Sequence, residues 1–402
     1  KAPFKPTGDQ PDAIAKVVKI NQKDHAQGHI CPDCRLWLEK GPAKLREEAL
    51  QKLKSCREDQ KDFYQAVVLV MEGAIHFIGR YRDLLREKAV CEQGKNAEEL
   101  EQVAAVCDHL TYRAPSGFHE AVQLLWFLFV LLQMESNASS FSPGRMDRYL
   151  YPYYKKDIEA GVLSETEAFE IICCLWLKFN EIVYMRNAHS AKYFAGFPIG
   201  FNVALGGVDE EGNPSENELT RLFLQAQEEI GMAQPNLSVR LHKKTSKALL
   251  EKSVAVVAKG SGIPQFFNDE AVIPGLLALG IEKKDALDYA IVGCVELTTQ
   301  GNNLGWSDAA MFNMNKALEL VLNHGRCLLS GEAIGPDFGG LDTYTDFAAL
   351  EDAFARMLDF FIEKMIKACE EVEKVHMERL PSPFLSAVID DCLEKGLDVT
   401  AG

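Results

Sequence analysis

Cys294 and Glu296 stand in the run Ile291-Val292-Gly293-Cys294-Val295-Glu296, and the same stretch continues to Asp308. In an extended segment residues i and i+2 point the same way, so the sulfur and the carboxyl face one space. A thiol can lose or gain a hydrogen atom, and a carboxylate can take a proton. The pair suits hydrogen abstraction coupled to proton removal rather than ordinary nucleophilic attack. A bare C-x-E is also what a small buried cysteine beside a surface glutamate looks like, since free cysteine packs as a small hydrophobe. What the pair does therefore depends on the elements that hold it.

Those elements read as helices with short buried strands between them. Residues 62–87 place Phe63, Val67, Val70, Ile75, Ile78 and Leu84 near helical spacing. Helices are expected again over 97–110, 119–134 and 165–179, the last opened by a Ser164-x-x-Glu167 capping box. The texture then changes. Residues 201–206, 237–241 and 264–268 are short apolar runs, separated by helical segments over 216–230, 246–258 and 270–279. Strand and helix alternating at this pitch argue for an α/β barrel or a wound sheet. The last apolar run, 289–292, leads into Gly293, which permits a tight turn. It should be a buried strand that carries Cys294 on a loop tip inside the barrel. Long helices over 308–323 and 346–374 close the pattern.

Composition narrows the partners. The chain has 402 residues, a net charge of −16 and a hydrophobic fraction of 47%, ample for a large core. An acidic chain argues against nucleic acid and against anionic membrane surfaces, both of which attract Lys/Arg patches. No apolar run approaches the roughly 18 residues of a membrane span; 121–134 is apolar but short and reads as a buried helix. The chain opens Lys1-Ala2-Pro3-Phe4, without a signal peptide, so we expect a cytoplasmic protein and a piece of something longer. Its 11 cysteines are odd in number and scattered, which fits a reducing compartment rather than a disulfide framework. Cys31-Pro32-Asp33-Cys34 matches C-x-x-C, but no second pair or suitably spaced His completes a metal set, so no metal is expected.

Beyond the cysteine, Gly305-Trp306-Ser307-Asp308-Ala309-Ala310-Met311-Phe312-Asn313 together with Gly293-Cys294-Val295-Glu296 resembles the thiyl-radical loop of the glycyl radical enzymes. Other segments agree in order: Ser142-Pro143-Gly144-Arg145-Met146-Asp147 with Tyr151-Pro152-Tyr153-Tyr154, Ala195-Gly196-Phe197-Pro198, Gln234-Pro235-Asn236-Leu237-Ser238-Val239-Arg240, Phe267-Asn268-Asp269-Glu270 and Pro381-Ser382-Pro383. The resemblance implies part of a ten-stranded α/β barrel in a helix-rich surround. Residues 1–402 would form one piece of that domain, with a helical region to about 195 and the barrel strands and thiyl loop from about 196. It also implies a radical stored on a backbone glycine in an R-V-x-G-Y loop, installed by a separate S-adenosylmethionine iron–sulfur activating enzyme, with no bound cofactor. That motif is not in this sequence, and the fragment by itself is expected to be inactive. A small-molecule substrate and a homodimer complete the expectation.

Within that family, pyruvate formate-lyase proper has two adjacent cysteines, whereas here Gly293 precedes Cys294. The C-V-E form resembles the lyases and dehydratases. Cys294 is then the thiyl that abstracts hydrogen, and Glu296 the general base for a substrate hydroxyl. Asp308, His29 and Asn21 are candidates to bind the substrate or protonate its leaving group, with Ser140 and Phe197 on the pocket wall. Asp308 could equally cap a helix, His29 could be merely exposed, and Asn21 could be a turn residue. His189-Ser190 lacks an acidic orienter and is set aside. Arg145 and Asp147 read as a structural ion pair. Diol dehydratases often carry His-Ser where this chain has Ser139-Ser140, Phe197 replaces a frequent Tyr, and Leu297 replaces Pro. These departures keep open an arylacetate-type decarboxylase. A non-catalytic scaffold is the alternative of another class.

Overall fold

The computed structural model describes residues 18–20, 28–136, 139–183, 188, 192, 199–305 and 310–401. Asn21, Phe197, Asp308 and the His189-Ser190 pair lie outside these residues. Among the described residues the strands are β1 (Val18–Ile20), β2 (Gly28–Ile30), β3 (Ser139–Phe141), β4 (Asn202–Gly206), β5 (Asn236–Leu241), β6 (Gln265–Asn268), β7 (Ala290–Val292), β8 (Glu296–Thr298) and β9 (Ala310–Phe312). The chain divides into two compact units, Lys1–Ala26 with Trp306–Leu380 and Gln27–Gly305 with Pro381–Gly402.

In the first unit β1 pairs antiparallel with β9, Val18 opposite Phe312. Helices Met314–Leu322 and Phe347–Arg379 bury Ala317, Leu320, Val321, Met357 and Phe361 against each other. The helix expected to start at 308 starts at Met314, because Asn313 accepts the Lys316 N–H and caps it there, while residues 310–312 are spent on β9.

The second unit is a helical layer over a parallel sheet. Helix Lys61–Cys91 buries Tyr64, Val67, Val68, Met71, Ala74 and Ile78, a stripe at helical spacing. Helix Phe118–Glu135 is apolar nearly all round and buried on most sides. None of the described helices is long and apolar enough to cross a membrane. Ser164 and Glu167 form the expected capping box at the head of Glu165–Phe179. Asp33 accepts the Leu36 N–H at 2.9 Å, so the Cys31–Cys34 stretch is a buried helix start. Burial pushes both thiols well up, which keeps them protonated.

β4, β5 and β6 are parallel, with Asn202 opposite Asn236 and Ser238 opposite Gln265. β2 and β3 are parallel, with Gly28 opposite Ser139 and Ile30 opposite Phe141. The chain leaving β3 joins the two sheets: Gly144 donates to Asn202 O at 3.3 Å and accepts from Ala204 N at 2.9 Å. All five residues of β4 are buried, as expected of a parallel strand covered on both faces.

β7 packs against β4, with Tyr289, Ala290, Ile291 and Val292 wholly buried. Arg240 of β5 braces its base. The guanidinium forms a two-point ion pair with Asp269, donates to the carbonyls of Leu287 and Tyr289, and lies 3.8 Å from the Tyr289 ring centroid. The Tyr289 hydroxyl donates to the same Asp269 at 2.7 Å. A second brace corrects the sequence reading. Arg145 does not pair with Asp147; it reaches Asp288 at 2.9 Å, while Asp147 accepts Gly206 N and the Thr220 hydroxyl. Arg35 and Arg148 contact Asp288 too. Burial alone would raise Asp288, but these guanidiniums outweigh it and hold the carboxyl below its ordinary range.

Candidate active site

β7 and β8 form an antiparallel hairpin with Val292 opposite Glu296 and Ala290 opposite Thr298. Its loop is Gly293-Cys294-Val295, with Gly293 in the left-handed region at φ 58°. Gly293 is buried, but Cys294 and Val295 are exposed. The left-handed turn at Gly293 carries the sulfur-bearing residue off the end of the packed strand.

Glu296 curls back over this turn. Its Oε2 accepts the N–H groups of Cys294 at 2.8 Å and Val295 at 3.0 Å. Its Oε1 lies 3.6 Å from His29 Nε2. The carboxyl and the cysteine thus meet in one hairpin through the backbone N–H of Cys294, at a tight turn rather than along an extended segment. His29 is 6% exposed and so is not the surface residue it could have been. Its ring is so close to the turn that a Cβ on Gly293 would overlap it.

Ser140 flanks the same place. Its Oγ donates to Ile199 O at 3.2 Å, and its N–H donates to the same carbonyl at 2.9 Å. Gly200 comes next; a Cβ there would collide with Ser140 Oγ and stand 3.7 Å from Gly293 Cα. His29 and Ser140 are the middle residues of the paired strands β2 and β3, and both have positive φ, 59° and 63°. A non-glycine residue in that region is uncommon, and strained residues of this kind cluster at functional sites. Cys294, Glu296, His29 and Ser140 are thus brought together.

Sequence reasoning missed the residues that hold the turn. Asn202 Nδ2 and Asn236 Nδ2 each donate to Gly293 O at 3.3 Å, and the Ser238 hydroxyl donates to Asn202 Oδ1 at 2.8 Å. The available signal was an asparagine inside the apolar run Phe201-Asn202-Val203-Ala204-Leu205, since a buried amide must find partners. Gln300 pins the returning strand by donating to Asp288 O and accepting Arg145 N, both at 2.9 Å. A surface groove of about 900 Å³ lies elsewhere, lined by Arg148, Asn217, Arg221, Leu249 and Lys252 among others, and of the described candidate residues none borders it. Convergence of side chains, not groove volume, locates the site.

Comparison with known proteins identifies the family. Residues 11–402 match the pyruvate formate lyase-like family. The chain is 36% identical over 397 residues to (2S)-3-sulfopropanediol dehydratase of Klebsiella oxytoca, covering 96% of this chain and 48% of that protein. It is 29% identical to isethionate sulfite-lyase of Oleidesulfovibrio alaskensis, with 98% of this chain and 49% of the relative covered. The glycerol-bound B12-independent glycerol dehydratase of Clostridium butyricum superposes with a TM-score of 0.94 at 32% identity, over 98% of this chain and 51% of that one. The chain spans about half the length of these relatives. Its helix-wrapped sheet is part of their α/β barrel, and with a match running from residue 11 to the last residue the chain belongs to the pyruvate formate lyase-like family, the glycyl radical enzymes.

Proposed function

We propose that this chain carries the hydrogen-transfer half of a glycyl radical lyase, a dehydratase or another carbon–heteroatom lyase acting on a small hydroxylated molecule. The observation that supports it most directly is the hairpin that sets Cys294 beside Glu296, with His29 and Ser140 against the same turn. A radical stored on a glycine, installed by a radical S-adenosylmethionine activating enzyme, supplies the unpaired electron. Cys294 loses its hydrogen atom, and its sulfur takes one from a carbon bearing a hydroxyl. Glu296, whose Oε1 lies 3.6 Å from His29 Nε2, takes the hydroxyl proton. The electron on carbon expels the leaving group from the neighbouring carbon, and His29 supplies a proton where that group is hydroxide. The product radical recovers its hydrogen from Cys294, leaving a carbonyl product with water or the expelled anion; the proton on Glu296 returns to His29 after dehydration, or leaves with the anion. Ser140 offers a hydroxyl for substrate contact, and Asp308, Asn21 and Phe197, which lie outside the described residues, remain the further candidates for substrate binding. A homodimer belongs to the same reading.

The test uses the full-length protein, activated anaerobically and offered glycerol, (2S)-3-sulfopropanediol and isethionate. A carbonyl product with loss of water or sulfite supports the lyase reading. Release of CO₂ from an arylacetate instead of these products overturns it in favour of a decarboxylase. Cys294→Ser should abolish turnover while the glycyl radical persists, because an O–H bond is too strong to relay hydrogen. Substantial turnover in that variant sinks both readings.

A further inference from the structure

We infer that Asn202 and Asn236 act as an amide clamp on the peptide preceding Cys294 and are positioning residues for its hydrogen-atom transfer; this rests on the reaction proposed above. The two asparagines stand directly opposite each other on β4 and β5, and both point their Nδ2 at one oxygen, Gly293 O, each at 3.3 Å. A carbonyl has two lone pairs, so this one is fully used. Asn202 is wholly buried, and the Ser238 hydroxyl holds its Oδ1, which leaves the Nδ2 end to face the turn. Asn236 and Ser238 are two apart on β5 and so lie on one face of the strand.

The clamp acts where the hairpin is weakest. β7 and β8 share only three residue pairs, Gly293 has a glycine's freedom, and Cys294 is exposed. Hydrogen transfer needs the reacting atoms about 3–3.5 Å apart, and a misplacement of about 1 Å can cost 10²-fold. Fixing Gly293 O fixes one end of the peptide unit whose other end is the Cys294 nitrogen, and that nitrogen is held in turn by Glu296. The donors are neutral. A lysine could hold the same carbonyl, but a cation beside the sulfur favours thiolate. A thiolate has no hydrogen atom to give back to the product radical.

The experiment compares full-length Asn202→Ala, Asn236→Ala and the double variant with the parent. Since either amide alone still satisfies the carbonyl, each single substitution should speed hydrogen exchange over residues 290–298 by no more than about tenfold. The double variant should speed it by about 100-fold or more, beyond the product of the singles, because the carbonyl is then left without either donor. After anaerobic activation, turnover of whichever of glycerol, (2S)-3-sulfopropanediol or isethionate the parent consumes should fall in kcat with KM unchanged, at an equal yield of glycyl radical. Effects that simply multiply, no change in exchange, or a loss carried by KM would overturn the clamp. Because Asn202 is buried, Ser238→Ala with Asn236→Ala serves as a second pair, expected to lie between the single and double variants. If the parent consumes none of the three compounds, the proposed reaction fails, and the exchange measurement still decides the clamp.

Discussion

Gly293→Ala should damage the site by two separable routes. The first is backbone strain. Gly293 has φ 58°, and an L-residue held in that region costs about 1–2 kcal/mol. The second is overlap. A Cβ would stand 2.5 Å from His29 Nε2 and 2.8 Å from Glu296 Oε2, and closer still to another atom of the His29 ring. Forcing a methyl into a filled space costs about 1–3 kcal/mol. The sum is about 2–5 kcal/mol, read by equilibrium unfolding in urea; if the hairpin opens locally instead, hydrogen exchange over residues 290–298 records it. His29→Ala separates the routes. In the double variant the overlap with the ring is gone but the φ strain remains, so a coupling of about 1–3 kcal/mol should appear in the cycle. A destabilisation under about 0.5 kcal/mol, or two substitutions whose effects simply add, would refute the reasoning.

Three further outcomes are expected. Glu296→Gln keeps an oxygen for the Cys294 and Val295 N–H groups but puts an amide where Oε1 faced His29; kcat should fall by about 10²–10⁴-fold with hairpin exchange unchanged, and activity above a tenth of the parent's would exclude Glu296 as the base. Asp288→Asn leaves Arg145, Arg148 and Arg35 without their shared carboxylate and should cost about 3–5 kcal/mol in urea unfolding; a loss below 1 kcal/mol would mean that the guanidiniums do not depend on it. Burial pushes Glu135 up to about 7 from an ordinary value near 4.5, although it accepts the Phe384 and Leu385 N–H groups. The folded state then binds this proton more tightly than the unfolded chain. Its contribution is complete below about pH 4.5 and is lost as pH rises through about 7, roughly 3 kcal/mol in all. Glu135→Gln should flatten that part of the stability curve, and equal pH slopes in both proteins would refute it.

The helices were legible because their stripes are long. Lys61–Cys91 and Glu165–Phe179 repeat at helical spacing over several turns, and Ser164 marks a start by its own hydrogen bond. β4 and β5 were legible as apolar runs. β2, β3 and β8 were not, since three residues carry too little alternation to display a period. The Cys294–Glu296 pair was visible because both members lie in one hairpin, two residues apart. The partners of Arg145 were not: Asp147 is near in sequence, but Asp288 comes from a distant segment and wins by position in the fold. Asn202 and Asn236 escaped for a similar reason, since their shared partner is a carbonyl and a carbonyl leaves no mark in a sequence.

The pair His29 and Ser140 limits how this site can be altered, in nature or by design. Both positions demand a left-handed backbone, which glycine accepts freely, asparagine, aspartate and histidine tolerate, and β-branched residues resist. A change of substrate that needs a valine, isoleucine or threonine at either position meets backbone strain before it meets the substrate. The accessible alternatives there are small or polar. Variation toward a greasier pocket must therefore come from residues on other segments, while positions 29 and 140 stay confined to a short, hydrophilic alphabet.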